Sequence, residues 1–424
     1  VIKKISLIVL FAIFSYGVDA TIEVVKKFKN LPIITIEDGS IGENSFHKSE
    51  KLYKILIGDF KVSSHFRVHN SNKYMRSDFE SDPKFIEYKN SNVDLVLKYQ
   101  TKLEPNNSLE VVTKLYDINT NELVYQKSYN TTKSEKFPFI SHKIAIDVNK
   151  YLNAPSIDWM QKFIIFARYV NKKESEILIS DYTLTYQKVI IKGGLNIFPK
   201  WASDKQEEFY YTSYLEKPTL FKLNIYNGKR EKITQSDGML VCSDVTDNGD
   251  KMLLTMAPEG QPDIYLFDVN TKRKTRITKY KGIDVNANFL EDGNKIAFVS
   301  DRLGYPNIFA KEIGSSAVEQ LVYHGKNNNS CSSYKNYIVY TSRERESEFN
   351  GKMFNLYLIS TQSDFIRRLT TIGVNQFPKF SKDGESILFI KHYQNESALG
   401  IIRINYNKSY LFPLRVGKLQ SIDW

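Results

Sequence analysis

Residues 287–313 read ANFLEDGNKIAFVSDRLGYPNIFAKEI. Ala287-Asn288-Phe289 leads into the turn Glu291-Asp292-Gly293, where Asp and Gly suit a tight reversal. Strand Lys295 to Ser300 follows, and Asp301-Arg302-Leu303-Gly304 turns the chain again. Asn307 to Ile313 is a third strand and Glu319 to Tyr323 a fourth. The same plan recurs on both sides. Asp263 to Asn270 and Thr275 to Thr278 repeat it upstream, and Phe380-Ser381-Lys382-Asp383-Gly384 with Leu399 to Tyr406 repeats it downstream.

Aligning one apolar strand of each copy exposes the period. The runs are Phe163 to Ala167, Phe209 to Ser213, Met252 to Met256, Ile296 to Ser300, Tyr337 to Thr341 and Ile387 to Lys391. Their equivalents Phe166, Tyr211, Leu254, Phe298, Tyr340 and Phe389 lie 45, 43, 44, 42 and 49 residues apart. Six four-stranded units at that spacing imply a six-bladed β-propeller over residues 154–424. Trp201, Val245, Phe289 and Phe380 each mark a first strand, 9 or 10 positions ahead of the second. Trp424 is the sixth such marker and no second strand follows it, while the first blade opens irregularly near Trp159. Leu419 to Trp424 is therefore expected to pair back onto the first blade, covering an open sheet edge.

Residues 21–153 lack this period and read as a small α/β domain. Pro32 to Glu37 reads as strand, Asn44 to Lys54 as helix and Ile55 to Phe60 as strand. Val93 to Leu103, Leu109 to Tyr116 and Leu123 to Tyr129 are further strands, the last two joined by Asp117-Ile118-Asn119-Thr120-Asn121. Pro138 opens a helix whose Ile140, Ile144, Val148 and Leu152 form one apolar face, ended by Asn153-Ala154-Pro155. The fold class is mainly β, a C-terminal propeller preceded by this α/β domain.

Composition agrees: of 424 residues, 42% are hydrophobic and 25% charged, which excludes wholesale disorder. Lys3 and Lys4 precede the apolar run Ile5 to Phe14, and Val18-Asp19-Ala20 closes the stretch. Residues 1–20 thus read as a secretory signal peptide cleaved after Ala20, too short in its apolar part for stable membrane insertion. The net charge of +11 is spread over both halves and reads as solvated surface; nucleic acid is not expected as a partner.

No catalytic constellation emerges. His65 and His69 sit in alternating sequence that separates their rings, and Asp244, Asp247 and Asp250 miss the calcium-loop spacing by one position. G-x-S-x-G and phosphate-loop motifs are absent, and Gly39-Ser40-Ile41-Gly42 reads as a loop. Cys242 and Cys331, on non-adjacent blades, read as small buried residues. No metal, cofactor or catalytic residue is assigned. Segments joining one blade to the next would line the channel mouth, and they include Asn196, Met239, Leu240, Val285, Asn329 and Asn375.

The chain resembles the TolB family, periplasmic components of the Tol-Pal system of Gram-negative bacteria. The likeness rests on the order of the domains and on local matches. Leu115-Tyr116-Asp117-Ile118-Asn119-Thr120 looks like the hairpin of the family's first domain, and Ser141-His142-Lys143-Ile144-Ala145 like its last helix. Phe380-Ser381-Lys382-Asp383-Gly384 and Ser300-Asp301-Arg302-Leu303-Gly304 resemble its blade signature. Ser203-Asp204-Lys205 and Ser333-Tyr334-Lys335 have lost the Asp-Gly pair, and the arm Thr21 to Asn30 is more basic than the family leads one to expect. The resemblance implies a non-catalytic docking protein, a monomer before partner binding. The outer-membrane lipoprotein Pal would bind at the channel mouth. TolA would bind the arm through Thr21, Ile22, Glu23, Val24, Val25, Lys26, Lys27 and Phe28. The alternatives are an exported propeller lyase or hydrolase and a ligand-binding propeller.

Overall fold

The computed structural model describes residues 31–41, 43–70, 72–290, 293–347, 351–394 and 396–424; the expected signal peptide and the arm lie outside these. The first domain contains β1 (Ile33–Asp38), α1 (Glu43–Ser63), β2 (Arg67–Val68), α2 (Phe85–Asn90), β3 (Leu95–Leu103), β4 (Leu109–Asp117), β5 (Glu122–Thr131) and α3 (Phe137–Tyr151). Its strands form one sheet in the order β2-β1-β3-β4-β5. β1 runs parallel to β2 and β3, and the remaining pairs are antiparallel. α1 and α3 cover the sheet, and Leu56, Phe60, Leu97, Tyr99 and Ile144 are among the buried residues of that core.

The run Ile55 to Phe60 is helical, not the strand its branched residues suggested. It lies inside α1, where Leu52, Leu56 and Phe60 recur every four residues and are fully buried. No turn residue separates Lys54 from Ile55, and Gly58 alone is too weak a breaker to stop the helix. The short β2 and α2 were not anticipated either; neither is long enough to show a period. α3 begins as expected, with Pro138 in its first turn where a missing N–H costs nothing, and ends before Asn153 at φ 50°.

Six sheets follow, four-stranded in plan, the fifth and sixth linked by a single parallel pairing, Phe354 with Val374. Blade one consists of Ile164–Asn171, Glu174–Ser180, Gln187–Ile191 and, as its innermost strand, Lys418–Asp423. The C-terminal segment therefore closes the ring. Leu419 pairs with Arg168 and Ile422 with Phe166, while the Trp424 ring stands 5.6 Å from that of Trp159. The other innermost strands are Leu195–Trp201, Leu240–Val245, Asp284–Leu290, Lys326–Tyr334 and Val374–Phe380.

Antiparallel order gives the ring two distinct ends. The mouth carries the connections between blades and the turns between second and third strands. The far end carries the turns between first and second and between third and fourth strands. The N-terminal domain packs on blades one and six, against turns of the far end. Val62 of α1 and Ile146 of α3 share a core with Trp159, Met160, Tyr182 and Leu399.

Candidate functional site

The channel is walled by the six innermost strands, and every one of them contains an irregularity in its pairing. Phe198, Asn286, Ser330 and Phe377 take positive φ at these bulges. Just beyond each bulge stands a polar residue: Lys200, Asp244, Asn288, Ser332, Lys379 and Asp423, at spacings of 44, 44, 44, 47 and 44. This ring was not foreseen from sequence, although its period matches that of the markers Trp201, Phe289, Phe380 and Trp424, each one residue later.

Its members stitch blade to blade. Asp423 accepts the Trp201 N–H at 2.9 Å, Asp244 the Phe289 N–H at 3.0 Å and Ser332 the Phe380 N–H at 3.2 Å. The Asn288 amide donates to the Cys331 carbonyl at 3.0 Å. Lys200 Nζ lies 3.1 Å from Asp423 and 3.4 Å from Asp244. Burial alone would discharge Lys200, but these two carboxylates outweigh it and raise its pKa. Among the described residues Lys379 has no carboxylate in salt-bridge range, and burial together with Lys200 lowers its pKa. Cys242 and Cys331 are free and buried.

A second ring lies at the mouth. Asn196, Leu240, Asp284, Asn328, Asn375 and Leu419 are all buried and recur with the same spacings. The Asn196 amide donates to the Gly193 carbonyl at 2.7 Å, and the Asn375 amide to the Phe354 and Ile372 carbonyls at 3.0 and 3.1 Å. These side chains pin the incoming loop to its strand. Of the six expected contact residues, Asn196, Leu240 and Asn375 are buried, Val285 and Asn329 are half-buried and Met239 is exposed. Sequence identifies the connections but not which residue of each points outward, because a strand entry and a loop tip look alike one residue apart.

Among charged and polar side chains the mouth also exposes large apolar ones. Tyr323 (82%), Ile372 (71%), Val416 (65%) and Leu215 (63%) are its most exposed large hydrophobic residues, joined by Val170, Leu303, Tyr393 and Met239. All six blades contribute to this set. On the turns of the far end, the large hydrophobic residues exposed among the described residues are Tyr226 and Phe365. Apolar residues scattered singly need no explanation; the observation here is that they recur on every blade at one end of the ring.

The far end holds a cavity of about 210 Å³ lined by all three tryptophans, Trp159, Trp201 and Trp424. Lys382 of blade six reaches across it to Asp204 and Asp247 of blades two and three, at 2.8 and 2.5 Å. Among the described residues no group of three His, Cys, Asp or Glu side chains is placed to hold a metal ion. His65 instead contacts Asn149 at 2.5 Å, and Asp244, Asp247 and Asp250 turn to separate partners.

Residues 20–124 match the TolB amino-terminal domain family and residues 161–424 the TolB beta propeller domain family. The chain is similar to the Tol-Pal system protein TolB of Wolinella succinogenes, 53% identical over 411 residues, covering 96% of this chain and 97% of that one. It is 45% identical over 427 residues to Tol-Pal system protein TolB of Campylobacter jejuni strain RM1221, covering the whole of both. TolB from Acinetobacter baumannii shares the fold, with a TM-score of 0.74 at 21% identity over 93% of this chain and 96% of that one. Both domain families are matched in order and relatives agree from end to end, so the chain belongs to the TolB family.

Proposed function

We propose that this protein is an exported, periplasmic docking component of the Tol-Pal system, without catalytic activity of its own. It would link the inner-membrane Tol complex to the peptidoglycan-associated lipoprotein Pal, in support of outer-membrane integrity and of envelope constriction at cell division. The observation that carries this reading is the exposed apolar ring at the channel mouth, to which every blade contributes. A rigid ring can offer such a surface without chemistry, and its loops can vary without disturbing the strands. Three of the charged residues of the channel, Lys200, Asp244 and Asp423, are occupied in stitching blades together, which gives them a structural reason to be there.

On this reading Pal would contact the exposed Tyr323, Ile372 and Met239 rather than the buried Asn196, Leu240 and Asn375. TolA is assigned to the arm, Thr21 to Phe28. The mature chain carrying Tyr323→Asp and Ile372→Asp should keep its thermal melting profile and lose lipoprotein binding at least tenfold, since buried aromatic and aliphatic anchors dominate interfaces. Undiminished binding by a folded variant would move the site off this face. Val285→Asp is a poorer probe, because Val285 packs against the buried cluster around Ile308 and Tyr340.

A further inference from the structure

The positive charge looks dilute along the sequence, yet folding gathers part of it. The outermost strand of blade two is Arg230–Gln235 and that of blade three is Lys274–Arg276. Lys229, Arg230 and Lys232 on the first, with Lys272, Arg273 and Lys274 on the second, are all exposed. Two contacts join the rims: Lys272 Nζ to Glu231 at 3.1 Å and Lys274 Nζ to Thr234 Oγ1 at 3.3 Å. The acids at the patch among the described residues are Glu231 and Asp268, the latter opening the turn to Arg273 and accepting the Thr271 N–H, and Glu207 stands at the neighbouring turn. Lys229, Arg230, Lys232, Arg273 and Lys274 have no carboxylate in salt-bridge range among the described residues. The Arg230 guanidinium carbon stands over the Phe221 ring, 3.5 Å from its centre, which holds one charge at the edge of the sheet.

We propose that this rim of blades two and three is a docking surface for a bilayer containing anionic phospholipid. Four to eight basic side chains clustered without carboxylate partners match the charge density of anionic headgroups, each adding attraction that fades within a Debye length. The surface is an outer edge rather than a groove, so it suits an extended plane better than a folded ligand. Tyr226 (71% exposed) stands at the turn leading into Lys229 and supplies the amphipathic ring that favours the water–lipid boundary. The patch borders the far end, so it stays open when a partner occupies the mouth. Export, part of the functional reading above, supplies the compartment bounded by membranes and removes nucleic acid as the polyanion.

The test is co-sedimentation of the full mature chain with vesicles. Phosphatidylcholine vesicles mixed with phosphatidylglycerol should bind it, pure phosphatidylcholine should not, and molar salt should release it. Lys229→Glu, Arg230→Glu and Arg273→Glu combined should weaken binding roughly tenfold or more. A control triple reversal at Lys172, Lys173 and Lys192, near the mouth on blade one, should leave most of it. Equal losses in both variants would show that net charge alone acts, and would overturn the assignment. Binding to purified peptidoglycan sacculi without binding to anionic vesicles would overturn it in favour of a carboxylate polymer. Lipoprotein binding should survive the rim reversal, so failure of this surface is distinguishable from failure of the mouth.

Discussion

His142 is fully buried between two carboxylates, with Nδ1 2.9 Å from Asp59 and Nε2 3.3 Å from Asp181. Asp59 belongs to α1, His142 to α3, and Asp181 follows the second strand in sequence order of blade one, so the three residues clasp the domains together. Asp59 also accepts hydrogen bonds from Ser141 at 2.7 Å and Tyr182 at 2.5 Å, and Asp181 one from the Tyr186 N–H at 2.6 Å. Burial by itself would strip the proton from His142, but Asp59 and Asp181 outweigh it and raise the pKa to about 9. A folded pKa above the unfolded value of about 6.5 means that this stabilisation is complete below that pH and is lost as pH rises through about 9. Denaturant unfolding of the mature chain should therefore lose on the order of 2–3 kcal/mol between about pH 6 and 9 in excess of His142→Gln. Parallel pH profiles for the two proteins would refute the clasp. The resemblance to the family drew attention to Ser141-His142-Lys143, but sequence held no sign that a histidine in an apolar helix faces carboxylates 39 and 83 residues away.

Among the elements, the C-terminal strand closes the one junction of the ring that no chain connection makes. Leu419 and Ile422 are buried in the blade-one core, and Asp423 holds both Trp201 and Lys200 of blade two. The Trp424 indole N–H donates to the Phe380 carbonyl of blade six at 2.7 Å. Deleting Leu419 to Trp424 would remove these ties and expose the Ile164–Asn171 edge. The cost should match or exceed that of truncating one buried aromatic, about 3–5 kcal/mol, and lower the melting temperature markedly. An unchanged melting curve would show that the ring does not depend on this strand. Closure was legible because Trp424 repeats a marker whose period five earlier units had established, and a long-range pairing then follows from counting. The run from Ile55 to Phe60 lacked any such repetition: branched residues favour strands, and only the packing of Leu52, Leu56 and Phe60 on one face decides for helix. The bulges were beyond reach for a related reason. Phe198 and Phe377 carry positive φ although nothing in an aromatic side chain announces it; the strain is imposed by the ring around them.

For the whole molecule, the decisive geometry is that the domains meet at the end opposite the mouth. His65 stands 3.5 Å from the buried Arg403 of blade six, and the Tyr410 hydroxyl donates to the Lys61 carbonyl at 2.6 Å. Two residues beyond His65, the Arg67 N–H bonds to the Pro32 carbonyl at 3.0 Å, so the chain enters β1 close to this junction. The arm Thr21 to Phe28 immediately precedes that entry. Ten extended residues span at most about 36 Å, so a partner gripping the arm works near the domain junction, while a partner on Tyr323 and Ile372 works at the other end of the ring. The two should bind without sharing a contact. Deleting Thr21 to Lys29 should abolish TolA binding and leave the affinity for the lipoprotein within a few-fold, measured on separately purified partners. Any larger effect on the lipoprotein would reveal coupling through the propeller, since linkage requires a segment that favours one partner's bound state to disfavour or favour the other by the same factor. Retained TolA binding after the deletion would place that partner elsewhere on the chain, and the arm would then be read as a strand completing its own domain.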